Sequence, residues 1–176
     1  MNKILQEGNL QFDFSQAISV WRCEGEIGGK MSHCMKCVEF VVEWHDETWL
    51  IEVKDPENPN IPKEYSKKEY QEFIAKLRYD TLFSEELGPK AKDTFLYLYL
   101  TKAIGEKPLK YLVLLGLDSF TDSQIEHLHT PLKRSICFLG PDNSNWQNQY
   151  FEAANIFNIR KWNKYFPECQ IKRIAA

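Results

Sequence analysis

Nothing in this chain reads as a membrane span, a leader or a repeat. No apolar run reaches the ~18 residues that crossing a bilayer takes, and the longest candidates, such as Tyr111 to Leu117, are strand-sized. The N-terminal stretch Met1-Asn2-Lys3-Ile4-Leu5 has no signal-peptide apolar region, so a cytoplasmic protein is expected. No glycine-rich phosphate loop is present, because Gly28-Gly29 stands alone. No G-x-S-x-G elbow occurs either, and Ser, His and Asp are too scattered to suggest a triad. His127 and His129, two apart on an expected helix, point away from each other and read as surface residues.

A strong basic excess is also missing. The net charge of −3 and the pI near 5.9 argue against a broad, sequence-independent grip on DNA. The charge is nevertheless uneven. Residues 131–176 hold Lys133, Arg134, Arg160, Lys161, Lys164, Lys172 and Arg173 against Asp142, Glu152 and Glu168, a net of +4, which leaves −7 on the rest. Within that part, Lys161-Trp162-Asn163-Lys164-Tyr165 interleaves bases with aromatics. This is the composition of a nucleic-acid-facing surface, but a solvated helix end whose cations favour the helix dipole is the preferred reading.

The 5 cysteines lack the paired spacing of a zinc module. One CxxC is present, Cys34-Met35-Lys36-Cys37, with His33 beside it and Cys23 upstream. Only Cys137 and Cys169 lie further on, too few for the C-terminal group that an iron–sulfur cluster would need. The CxxC enters a strand rather than opening a helix, which counts against a thioredoxin-like site. Reduced, packed cysteines are the expectation, with metal at Cys23, Cys34 and Cys37 left open.

What is present is a chain of 176 residues with 11 Phe, 8 Tyr and 5 Trp, enough to bury a core and read as a single domain over residues 1–176. The patterning alternates α and β. Phe14, Ala17, Ile18 and Trp21 recur at helical spacing and predict a first helix over 13–21. Residues 26–31 are the expected first core strand. The prolines of residues 55–62 predict a loop. Ser66, with Glu69 three residues on, predicts a capped helix through Tyr70, Phe73, Ile74 and Leu77. Gly88-Pro89 is expected to interrupt before a second helix over 95–104. Residues 110–117 and 135–139 read as buried strands. An amphipathic helix is expected from Asn143 or Ser144 through Phe151, Ala154, Ile156 and Ile159, then a last strand over 170–174.

The densest information lies in Cys37 to Asp55, CVEFVVEWHDETWLIEVKD. Val38, Phe40, Val42 and Trp44 alternate with Cys37, Glu39, Val41 and Glu43, the period of a strand. Trp49, Ile51 and Val53 form one face of the next strand, and His45-Asp46-Glu47-Thr48 is a short polar connection. An even loop pairs Trp44 with Trp49, Val41 with Glu52 and Glu39 with Lys54. Glu39, Glu52 and Lys54 then share a face, with the two carboxylates on a diagonal roughly 7–8 Å apart at the backbone. The other face is apolar and must be core.

An acid early in one strand, followed by Glu-x-Lys closing the next, resembles the PD-(D/E)XK nuclease-like superfamily, the restriction-endonuclease fold. The resemblance covers only these strands. It implies an α/β fold with a central mixed β-sheet flanked by helices and an αβββαβ core. It also implies phosphodiester hydrolysis of nucleic acid, DNA ahead of RNA, assisted by Mg²⁺ or Mn²⁺. Glu39 and Glu52 take the metal-binding positions, and Lys54 takes that of the lysine that orients or deprotonates the attacking water. The family often draws a further acid from its first helix. Asp13, Glu24 and Glu26 are the candidates, with Glu26 preferred as third metal ligand. Lys67 and Lys68 are positioned to meet a phosphate backbone, or to be an exposed helix face. The departure is at the first position, usually Asp and often preceded by Pro, here Val38-Glu39. The alternative is a nuclease-fold protein that has lost catalysis and serves as a nucleic-acid-binding or regulatory subunit, and a homodimer would cover DNA better than one copy. On the bland reading, Glu52-Val53-Lys54 is an ordinary strand end whose exposed Glu–Lys pairing adds modest stability.

Overall fold

The computed structural model describes residues 3–23, 31, 33–140 and 150–174. Strands β1 (Ile4–Glu7) and β2 (Leu10–Asp13) form a hairpin and join β8 (Ile171–Arg173) in a three-stranded antiparallel sheet. The second sheet has five strands in the order β3 (Ser19–Arg22), β4 (Phe40–Glu43), β5 (Thr48–Lys54), β6 (Leu109–Leu115) and β7 (Ala153–Phe157). β3, β4 and β5 are antiparallel neighbours, whereas β6 and β7 run parallel to β5. The protein is thus mixed α/β, with a five-stranded mixed sheet flanked by helices.

Two cores form because both faces of that sheet are covered. Leu50, Tyr111, Val113 and Leu115 pack on one side with Phe73 of α1 (Lys63–Arg78), Leu82, Phe83 and Leu87 of a π-helical segment (Leu82–Leu87), and Ala91 and Leu98 of α2 (Gly88–Leu100). Ile125 of α3 (Asp122–His127) and Leu132 of α4 (His129–Ser135) complete that core. On the other side Trp49, Ile51, Val53, Leu112 and Leu114 meet Leu10 and Phe12 of the small sheet and Trp162 of α5 (Ile159–Tyr165). Helices, five-stranded sheet and small sheet make three layers.

Several elements differ from their sequence-based expectation. The stretch 13–21 is not a helix. Asp13 ends β2, its Oδ1 accepts hydrogen bonds from the Ser15 backbone and hydroxyl in a local turn, and β3 begins at Ser19. Residues 135–139 are the end of α4 and a turn in which Cys137 has φ +52°. A five-residue apolar run fits either state until its neighbours decide. Phe151 to Ile159 is coil, then β7, then the start of α5. Ala154, Ile156 and Phe157 of β7 are buried, and a strand covered on both faces loses the alternation that identifies one. Asn143 and Ser144, the expected start of a helix there, lie outside the described residues.

Helix α1 begins at Lys63 rather than at a Ser66 cap, and Ser66 donates instead to the Lys63 carbonyl at 3.1 Å. Its Tyr70, Phe73, Ile74 and Leu77 do line the core. Gly88-Pro89 does not interrupt. The π-helical segment runs straight into α2 there, with proline in the first turn, where its missing N–H costs least. Strands stand where 110–117 and 170–174 predicted them: β6 begins one residue earlier and ends at Leu115, and β8 lies within the second range. The proposed strand over 26–31 lies outside the described residues apart from Met31.

Candidate active site

The β4–β5 hairpin differs in register from the sequence reading by two residues. Val42 pairs with Trp49 and Phe40 with Ile51, and the Trp44 amide donates to the Glu47 carbonyl at 2.8 Å, so His45-Asp46 is the tight connection. The parity is unchanged. The regular ladder stops at the Phe40–Ile51 pair: Glu39 lies just before β4, and its amide donates to the Ile51 carbonyl at 3.0 Å. Lys54, two residues after Glu52, shares its face. All three look toward the helical layer, and Glu52 has no exposed surface at all. This face is therefore a polar island inside a core and not a solvent-facing ladder of exposed Glu–Lys pairs.

Three residues that sequence reasoning missed complete the island. Lys90 of α2 places Nζ 3.1 Å from Glu39 Oε1 and 2.8 Å from Glu52 Oε1. Glu86 of the π-helical segment meets Lys54 Nζ at 3.0 Å, and Lys54 also lies 3.2 Å from Glu52 Oε1. Lys76 of α1 closes the series on Glu86 at 2.7 Å. Charges thus alternate along Glu39, Lys90, Glu52, Lys54, Glu86 and Lys76. Spacing held a faint signal: Glu86 and Lys90 are four apart, the separation that puts helical side chains on one face. That they reach a strand more than thirty residues earlier is a tertiary fact.

Helix α2 is held over the site by backbone contacts. The Val38 amide donates to Thr94 Oγ1 at 3.1 Å, and the Lys36 amide donates to Asp93 Oδ2 at 2.9 Å. Thr94 lies one turn beyond Lys90, so the lysine and the entry to β4 are positioned by the same helix face. A π-helical turn just before it, wider than an α-turn, changes the direction in which Glu86 projects.

Burial governs the electrostatics. It pushes the Glu52 carboxyl up to about 7, against the pull of Lys90 and Lys54 and with a further push from Glu39. Burial alone would lower the Lys90 ammonium, but Glu52 and then Glu39 outweigh it and hold it above its ordinary value. Burial likewise works against the Glu86 carboxylate, yet hydrogen bonds from Lys76 and Lys54 win and lower it. Glu52 Oε2 is buried and makes no hydrogen bond. Buried polar atoms are nearly always paired, so an orphaned carboxylate oxygen in a site shared with a second carboxylate is a position suited to a cation.

The remaining sequence candidates fall elsewhere. Glu24 and Glu26 lie outside the described residues. Asp13 is bonded by Ser15 in the turn after β2, away from the island. Lys67 and Lys68 are exposed on α1, and Lys68 faces Glu72 one turn on. The Lys161–Tyr165 stretch is not a basic aromatic surface: Trp162 is core, and Lys161 is nearly buried against Glu126. His127 is exposed, but His129 packs inward, its Nε2 3.0 Å from the Ile156 carbonyl oxygen. Cys23, Cys37 and Cys169 are buried, whereas Cys34 and Cys137 are exposed, the latter in a turn and not a strand. Burial, then Cys37 and Glu39, push the Cys23 thiol far up, so it is no nucleophile. Among the described residues no group of three or more His, Cys, Asp and Glu side chains is arranged to hold a metal, and no helix is long and apolar enough to cross a membrane.

No protein-family model, curated protein or solved structure matches this chain. The functional argument therefore rests on the site itself.

Proposed function

We propose that the chain is a metal-assisted phosphodiesterase acting on nucleic acid, with DNA as its substrate, and that its site is the Glu39, Glu52, Lys54 cluster. The observation that carries this is the convergence of Glu39 and Glu52 on one ammonium, with Lys54 two residues on from Glu52, at the carboxyl end of β5, a strand that has a parallel neighbour. Ligands of α/β sheets favour that end of the strands. The path from antiparallel β3–β4–β5, through helices, to parallel β6 supports the strand part of a restriction-endonuclease-like αβββαβ core. The described residues before β3 are strands β1 and β2 rather than a helix, so the leading α-element is without support.

The donor set fits Mg²⁺ or Mn²⁺, since Glu39 and Glu52 offer hard oxygens and Glu52 Oε2 has no other partner. When bound, such an ion supplies Lewis-acid polarisation of the phosphate. The chain's own residues do the rest. Glu39 and Glu52 hold the cation position. Lys54, anchored by Glu86, presents an ammonium where negative charge develops on the phosphoryl oxygens and where a water can be oriented.

A second reading is a nuclease-fold protein that binds nucleic acid without cutting it, favoured by one observation: the Lys90 ammonium already bridges both carboxylates. Cleavage of plasmid and of single-stranded oligonucleotide with Mg²⁺ or Mn²⁺ separates the two. Wild type cleaves, and Glu52→Ala and Lys54→Ala lose at least roughly 100-fold in rate, the scale of removing one electrostatic stabiliser. Equal cleavage by all three removes the site from the reaction. Retained binding without any cleavage selects the second reading.

A further inference from the structure

Two ionised carboxylates are held together among apolar side chains only at high cost unless a cation lies between them. Glu39 and Glu52 are in that situation, at 8 % and 0 % exposure, and the cation between them is Lys90. The ammonium satisfies Glu39 Oε1 and Glu52 Oε1 and leaves Glu52 Oε2 with no partner. An ammonium is therefore an incomplete occupant of this position. A divalent ion accepts several oxygens at once and carries twice the charge.

Lys90 is also placed to leave. Its backbone is fixed on α2 between buried Gly88 and buried Ala91, but its charge rides on a flexible four-carbon stem. The side chain keeps 14 % of its surface exposed, so a path to solvent exists. Lys54 is differently held, between Glu52 and Glu86, with Lys76 behind Glu86. Withdrawal of Lys90 thus opens the Glu39–Glu52 gap and leaves the rest of the charge series intact.

We propose that the Lys90 ammonium is the resident counter-ion of the Glu39–Glu52 pair, and that a divalent cation enters by displacing it. Lysine and metal compete for one position. This rests on the metal-assisted reading above and adds a positioning residue to it: Lys90 keeps the two acids at ion-binding separation when no ion is present, and sets how much free ion is needed to load the site.

The test is binding of Mn²⁺ alone, without nucleic acid, followed by the electron paramagnetic resonance signal of the free ion. Lys90→Met binds Mn²⁺ at least about tenfold more tightly than wild type, because the competing unit charge is gone. Lys90→Arg, which keeps the charge, binds no more tightly than wild type, and Glu52→Gln loses the site. Equal or weaker binding by Lys90→Met, or no binding by any variant, overturns the proposal. Where Lys90→Met fails to fold, wild type labelled at its lysine side-chain carbons is titrated with Mg²⁺, the Lys90 resonance being assigned by its loss in Lys90→Arg. Displacement moves that resonance in step with Mg²⁺ occupancy. A Lys90 resonance that stays put, whether Mg²⁺ binds or not, overturns it. Cleavage enters neither readout. Exchange without cleavage removes the nuclease reading alone, and cleavage with Lys90 unmoved removes this one alone.

Discussion

Glu52 is the residue on which most of the chemistry turns. Burial outweighs the lysines beside it and pushes its carboxyl up to about 7, whereas in the unfolded chain it keeps the ordinary glutamate value of about 4.5. Between those two values the folded protein holds more protons than the unfolded one, so stability falls as pH rises through this window. The contribution is fully present below about 4.5 and gone above about 7. The lowered carboxyls of Asp13, Glu43, Glu86 and Glu126 act with the opposite sign and at lower pH, where protonation removes their stabilising bonds. Urea unfolding at pH 5 and pH 8 isolates the effect. Wild type loses stability between these points, and Glu52→Gln, which cannot ionise, shows a smaller loss. An equal loss in both proteins would place the titrating group elsewhere.

At the level of elements, the join between the π-helical segment and α2 positions both Glu86 and Lys90, and Gly88 stands at that join. Its φ of −63° is ordinary, so the demand there is for space. A Cβ would lie 2.9 Å from the Phe83 carbonyl oxygen and 2.9 Å from the Ser135 carbonyl oxygen, where the start of α2 crosses the end of α4. Gly88→Ala gains roughly 0.5–1 kcal/mol of helix propensity, but forcing two backbone segments apart costs about 1–3 kcal/mol. The expected outcome is a net loss of about 1 kcal/mol in urea unfolding, together with weakened Mn²⁺ binding as Lys90 and Glu86 shift. A stabilised Gly88→Ala protein would mean that the two helices move apart freely.

The molecule as a whole is tied together just past the carboxyl end of β5. Arg173 of β8 forms a two-pronged pair with Asp55 at 2.8 and 2.9 Å, reaches Asn9 Oδ1 at 3.0 Å and Asp118 Oδ2 at 3.2 Å, and donates to the Gly116 carbonyl at 3.3 Å. One side chain thereby joins the small sheet to the ends of β5 and β6. Gly116 serves the same junction, because any Cβ there would overlap the Asp55 carboxylate. Asp55 is 9 % exposed in its side chain, so removing the guanidinium strands a nearly buried charge. Arg173→Ala should cost about 2–4 kcal/mol in urea unfolding, and Arg173→Lys should recover less than half, since an ammonium cannot make the paired fork. Full recovery by lysine would show that charge alone holds the junction.

The amino-acid sequence by itself determined the hairpin, its parity, and the grouping of Glu39, Glu52 and Lys54 on one side. A strand's side chains alternate whatever surrounds it, so an even-numbered slip in register leaves the faces unchanged. It also determined the Tyr70, Phe73, Ile74 and Leu77 face of α1, through helical periodicity. The same reasoning failed at residues 13–21, 135–139 and 151–159, where local apolar spacing fits helix and strand alike and a neighbouring strand or turn settles the matter. Only the tertiary structure decided that the acidic face is buried, that Glu39 and Glu52 converge on Lys90, and that Lys90, Glu86 and Lys76 arrive from helices to complete the charge series. Burial and cross-chain pairing depend on which elements cover a face. That is a property of packing, and no residue spacing along the chain encodes it.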